Sequence, residues 1–279
     1  MNQVISDEQE DLLKKITVRL KVKIDLEEEK TLLGTGVIYY NEKSKNSVII
    51  TAKHCILGND DEEYKISQVS EIIIQHKYLI TDDFSEIRVQ SSDVIVAEDN
   101  KDIAVIAVSN SDLKILLNQE KIPQIVLSHS FKYDSYQSNG YPNAFIKQKK
   151  YHILSSKYMS DQKSYFEVES LSRLSDGTGE KAINAIKGYS GSGVFIRNLN
   201  FLSGIVFELK STSGQFDTIN CMKTCDLNTL ISENAFVIPD FVYQSIPDLG
   251  DDKTKEKLNI INQSLNTDIS SHKESLNVT

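Results

Sequence analysis

The strongest constraint on the fold of this chain is a period-two alternation of apolar and polar residues that recurs along most of its length. In Ile16-Thr-Val18-Arg-Leu20-Lys-Val22-Lys-Ile24 every second side chain is apolar, which places one oily and one charged face on a half-buried strand. Further β-rich runs follow at Leu32 to Tyr40, Ser47 to Ala52, Glu71 to Gln75, Ile87 to Ala97 and Ile103 to Val108, separated by polar or acidic connectors. Strands in such a series, joined by turns, suggest a barrel. A second series runs through Ile125 to Leu127, Tyr136 to Gly140, Tyr151 to Ser155, Tyr165 to Val168, Gly193 to Ile196 and Leu202 to Glu208.

The alternation also divides the chain. Ser6 and Gln9 are spaced as a capping box before Leu12 and Leu13, so a short helix is expected over residues 1–15. The first barrel then takes 16–110 and the second 124–240. Residues 111–123 form a connector in which Leu113, Ile115, Leu116 and Leu117 hint at a helical turn. The Ser-, Gly- and Asp-rich stretch Ser170 to Glu180 reads as a surface loop, and 241–279 as a polar helix or linker with Leu258, Ile261 and Leu265 at helical spacing.

Composition removes several classes of function. With 31 Lys and Arg against 40 Asp and Glu, the formal net charge is -9, and no basic stripe offers a footprint for nucleic acid. No apolar run reaches the roughly 20 residues that cross a bilayer, and Met1 to Glu10 is acidic where a secretory signal is basic. Three cysteines form no even disulfide framework, so a reducing, cytoplasmic setting is expected.

Three segments carry chemistry. Val48-Ile-Ile-Thr-Ala-Lys-His54-Cys55 delivers a histidine at the end of an apolar strand, a rigid mount for a general base whose pKa lies near neutrality. Asp102-Ile-Ala-Val-Ile-Ala-Val opens a second apolar strand with a carboxylate able to fix the tautomer of an imidazole. In Gly188-Tyr189-Ser190-Gly191-Ser192-Gly193, glycines around two serines allow a tight turn that exposes a hydroxyl and aims main-chain N–H groups at developing negative charge. By composition alone Ser192 rivals Ser190 as the nucleophile. Cys221 and Cys225 raise the separate idea of a metal or redox site, but a single Cys-x-x-x-Cys pair reads more simply as buried structural thiols.

Together these segments resemble the trypsin/chymotrypsin-like serine peptidases, bacterial intracellular members in particular, whose chain order is also His, Asp, Ser. Gly140-Tyr141-Pro142 and Gly204-Ile205-Val206-Phe207 add to the resemblance, which spans about residues 16 to 240. It implies two six-stranded antiparallel Greek-key barrels and a serine endopeptidase acting on proteins or peptides without metal or cofactor. His54, Asp102 and Ser190 would form the triad, and the N–H groups of Gly188 and Ser190 the oxyanion hole. The family pattern also favours Ser190 over Ser192. Substrate would lie extended along Gly204 to Glu208, touching Phe207 and Glu208, with Asn184 near the floor of the primary pocket.

The chain departs from the family at three points. Tyr189 stands where digestive relatives carry an acid that receives a newly cut amino terminus. Phe207 replaces a serine that supports the catalytic acid. Cys55 matches a family cysteine that is often disulfide-bonded, but the place expected for its partner, near Tyr39, holds none, so a free thiol is expected. The resemblance further implies a regulated effector, coupled to a sensor or regulatory protein in stress or antiviral defence. A catalytically silent peptide-binding module is the alternative.

Overall fold

The computed structural model describes residues 7–26, 28–59, 63–77, 84–97, 101–128, 132–142, 152–171, 188–209, 218–224, 227 and 243–244. All of them belong to one compact unit, Met1–Gln244.

The first strand series forms a seven-stranded antiparallel sheet. Its members are β1 (Thr17–Ile24), β2 (Lys30–Tyr39), β3 (Asn46–Thr51), β4 (Val69–His76), β5 (Ser85–Val89), β6 (Val94–Val96) and β7 (Ala104–Ser109), in the order β5-β4-β1-β2-β3-β7-β6. The expected alternation is realised in β1, where Val18, Leu20, Val22 and Ile24 are fully buried. One expectation is corrected: Ile87 to Ala97 is not a single strand. A 3-10 turn at Ser91–Asp93 breaks it, held by Gln90 N–H donating to Asp93 Oδ2 at 3.0 Å. The two pieces pair with opposite ends of the sheet, β5 with β4 and β6 with β7. The sheet therefore curls into a half-barrel whose ends meet through the chain rather than through a ladder.

The second series closes fully. β9 (Tyr136–Gly140), β10 (His152–Asp161), β11 (Tyr165–Ser170), β12 (Gly193–Ile196), β13 (Phe201–Leu209) and β14 (Thr218–Lys223) form a ring, β12-β9-β10-β11-β14-β13, completed by pairing of β12 with β13. β14 was not foreseen from the sequence. β8 (Val126–Ser128) lies outside the ring and, against expectation, pairs in parallel with β13; β15 (Tyr243–Gln244) joins β8 in parallel.

Three helices complete the described fold: α1 (Asp7–Ile16), α2 (His54–Leu57) and α3 (Asn110–Leu117). α3 occupies the expected connector and is capped by Ser109, whose Oγ accepts from Asp112 N–H at 3.1 Å. α1 ends one residue later than expected, and Ser6 lies outside the described residues. Gln9 serves a purpose other than helix capping: its amide donates to Ile196 O at 2.9 Å and Leu199 O at 3.0 Å, across the chain on β12 and the turn that follows it. One apolar cluster runs from β1, β3 and β7 into Phe195 on β12 and Leu202 and Ile205 on β13, so the two barrels share a core. No described helix is long and apolar enough to cross a membrane.

Candidate active site

The shared core brings the sequence motifs together. The strand β3 ends at Thr51, and two residues later the chain enters α2 with His54 as its first residue. Asp102 lies two residues before the start of β7, the neighbour of β3, so the antiparallel ladder from Thr51↔Ala104 onward fixes their approach. Asp102 grips His54 twice: Oδ1 accepts from the His54 main-chain N–H at 2.9 Å, and Oδ2 lies 2.5 Å from Nδ1. This two-point hold sets the ring plane and places the Nδ1 proton on the Asp102 side, leaving Nε2 free to act as a base.

Burial opposes charge on His54, but the hydrogen-bonded Asp102 carboxylate, with Cys55 beside it, outweighs it, raising the imidazole above its ordinary 6.5. The pair is only partly screened from solvent, with the His54 and Asp102 side chains 20% and 24% exposed. Phe207 contributes nothing to Asp102; its ring packs edge-on against Tyr165 at 5.6 Å.

The expected nucleophile turn, Gly188–Gly193, enters from the other barrel. Gly188 and Gly191 both take positive φ, 95° and 87°, conformations that favour glycine. The turn is locked to β13 at one point by Gly191 N–H donating to Val206 O at 2.8 Å and Val206 N–H to Ser192 O at 2.8 Å. Ser192 is fully buried and its hydroxyl donates to Tyr189 O at 2.5 Å, so it is held inside the turn. Ser190 is half-exposed, and its carbonyl accepts from Thr35 N–H at 2.8 Å and from Cys55 Sγ at 3.3 Å. The serine thus stands against the residue that follows His54, although its hydroxyl forms no hydrogen bond with any described residue, His54 included. The N–H groups of Gly188 and Ser190 likewise have no acceptor among the described residues. That leaves two unspent donors beside a half-exposed hydroxyl.

Cys55 is a free, buried thiol, as expected. The place opposite it is corrected: Gly34, not Tyr39, faces Cys55, and a Cβ built on Gly34 would lie 2.6 Å from Sγ. Cys221 is also free and buried, among apolar surroundings that push its thiol pKa up. Cys225 lies outside the described residues, and among those described no group of His, Cys, Asp or Glu could hold a metal ion.

Of the residues assigned to substrate, Asn184 falls outside the described part. Gly204 lies in the middle of β13 with Phe166 filling the space a side chain would take. Glu208 is exposed, and its Oε2 accepts from Asn220 on β14 at 2.6 Å. Past Val206, on the side facing the nucleophile turn, the β13 edge from Phe207 to Leu209 pairs with no described strand.

Thr35 was missed by sequence reading although it touches the nucleophile turn repeatedly. Its partners lie more than 150 residues away in sequence, beyond the reach of any local pattern.

No family model and no curated protein matches the chain. Among solved structures it is similar to the Rv3671c protease from M. tuberculosis in its active form, at 12% identity and a TM-score of 0.50, covering 82% of this chain and 84% of that one. It is also similar to AL20, a thermostable serine protease from an extremophilic microorganism, at 11% identity and a TM-score of 0.51, covering 76% and 92%. At such identities the likeness is one of fold: the chain has the two-barrel, chymotrypsin-like fold.

Proposed function

We propose that the chain is a serine endopeptidase in which Ser190, His54 and Asp102 act as the catalytic triad. The observation that carries this reading is the double hold of Asp102 on His54, with Ser190 lodged against Cys55. Ser190 Oγ attacks the scissile carbonyl carbon while His54 Nε2 accepts its proton. The oxyanion of the tetrahedral intermediate receives the N–H groups of Gly188 and Ser190. His54 then returns the proton to the departing amine, and water, activated by the same imidazole, releases the acyl group. The side of β13 from Phe207 to Leu209 that faces the turn, unpaired among the described residues, suits an extended peptide added as a strand, with Glu208 beside it. Proteins or peptides are the substrates in this reading, since both fold neighbours are proteases.

The test is covalent labelling of the purified chain with a fluorophosphonate, located by peptide mass spectrometry. Labelling should occur at Ser190, disappear in Ser190→Ala and persist in Ser192→Ala. Modification at Ser192, or none in a folded chain supplied with candidate activators, would sink the assignment. A regulatory or sensor protein that keeps the peptidase latent belongs to the same proposal, and full reactivity of the isolated chain would argue against it.

A further inference from the structure

We infer that Thr35 on β2 is a positioning residue that braces, from the opposite barrel, the peptide units next to the oxyanion donors of the nucleophile turn. This inference rests on the peptidase reading and adds a residue to it. Thr35 is fully buried, and each of its polar groups is committed. Its hydroxyl donates to Gly188 O at 2.7 Å and accepts from Tyr141 N–H at 3.1 Å. Its main-chain N–H donates to Ser190 O at 2.8 Å, and its carbonyl accepts from Thr51 Oγ1 at 2.7 Å, at the end of the strand that leads to His54.

The geometry explains what these bonds do. An oxyanion hole works only if its N–H groups point at the reacting oxygen before charge develops. Gly188 has no side chain to restrict it, and at φ 95° its peptide can swing at little steric cost. Its carbonyl, however, is pinned by the Thr35 hydroxyl, while the Ser190 carbonyl two residues later is pinned by the Thr35 N–H. Each carbonyl belongs to the peptide unit that follows its residue, so Thr35 fixes the units 188–189 and 190–191, on either side of the unit that carries the Ser190 N–H and whose carbonyl, Tyr189 O, is held by Ser192. The fit is tight on the far side as well: a Cβ on Gly191 would lie within 1.8 Å of the Thr35 carbonyl oxygen, so turn and strand are in direct contact. Thr35 also ties this clamp, through Tyr141 N–H, to the start of the segment after β9. A hydroxyl is required, since a methyl in its place would leave Gly188 O and Tyr141 N–H without their partner.

The test compares Thr35→Val, which keeps the shape and loses the hydroxyl, with Thr35→Ser, which keeps the hydroxyl. Thr35→Val should lower kcat about 10- to 100-fold at a KM within about twofold, because the lost alignment acts on the transition state. It should also weaken binding of a peptidyl boronate, which forms a tetrahedral adduct, more than binding of a non-covalent product peptide. Thr35→Ser should restore both to within about threefold. Equal kcat in Thr35→Val and wild type, or equal losses for boronate and product peptide, would overturn the inference. Thr35→Ala replaces Thr35→Val if the latter fails to fold, and thermal unfolding identifies that case. Where folded wild type supplied with candidate activators is not labelled at Ser190, the peptidase reading itself has failed. Amide hydrogen exchange then decides the role of Thr35: protection of Gly191 and Ser192 N–H should fall in Thr35→Val and hold in Thr35→Ser, and unchanged protection in Thr35→Val overturns it.

Discussion

At the scale of the residue, the His54–Asp102 pair makes a prediction with a definite sign. His54 must be neutral to accept a proton, and its pKa is raised above 6.5. Activity should therefore fall with decreasing pH along a limb centred above 6.5 rather than below it. Asp102→Asn removes the carboxylate that favours the imidazolium, so the limb should move to lower pH while the plateau drops by about 10⁴-fold. A pH profile of kcat/KM for the two proteins checks this, and a limb that stays in place on substitution would show that Asp102 does not set the basicity of His54. Linkage gives the companion effect on stability. Because the folded pKa is raised, the contribution is complete below the ordinary 6.5 and is lost as pH rises through the raised value. These two residues were legible in the sequence because each sits at the end of an apolar strand beside a short motif. Thr35 was not, since nothing about a threonine within Gly34-Thr35-Gly36 distinguishes a clamp from an ordinary strand residue. The misplacement of the residue facing Cys55 has the same origin: which residue of β2 faces α2 is set by register, which pairs Leu20 with Gly34, and register is a property of two strands.

At the scale of the element, α1 covers the described part of the expected helix, and its role was read incompletely. Its apolar residues Leu13 and Ile16 are fully buried, and Thr17 and Asn139 both donate to Leu13 O, at 2.6 and 3.2 Å. On the other flank, His76 at the end of β4 donates Nε2–H to Lys14 O at 3.0 Å. Burial holds His76 neutral and lowers its pKa to about 4, against the weaker opposing effect of the Lys14 and Lys15 main chain. A depressed histidine contributes stability that is fully present above 6.5 and is lost as pH falls toward 4, on the order of 3 kcal/mol in all. Thermal unfolding between pH 7 and 5, above the range where most carboxylates titrate, should show a declining midpoint that is flattened in His76→Gln. An identical slope in both proteins would exclude His76 as its source. The strand Ile87 to Ala97 shows the limit of pattern reading at this scale. Its apolar residues predict a strand throughout, but Ser91-Ser-Asp93 satisfies its own main chain locally, and the turn competes successfully with the ladder.

At the scale of the whole molecule, the two-barrel architecture was legible because alternation reports burial on one face, and twelve such runs leave few ways to bury them all. β14 escaped because it breaks that rule. In Thr218-Ile-Asn220-Cys221-Met-Lys223 nearly every residue is buried, including the polar Asn220, so no period-two signal survives. Its place is fixed by β11 on one side and β13 on the other. The same architecture gives α1 a docking role. Tyr189, the expected departure from the family pattern, is buried, facing Ser138 and the Leu154 main chain, so the turn around Ser190 is filled from within. α1 docks through Leu12 and Leu13 and through Gln9 on the β12–β13 connection. Deleting residues 1–15 should therefore weaken the enzyme rather than activate it. Burial of two leucines at about 1.5–3 kcal/mol each, with the lost Gln9 bonds at about 1 kcal/mol each, amounts to roughly 5–8 kcal/mol, a large part of a domain's whole stability. The unfolding midpoint should fall by more than about 10 °C, and fluorophosphonate labelling of Ser190 should decrease with it. Faster labelling of the truncated chain would mean that the segment restrains the site, and that proteolytic removal of α1 switches the peptidase on.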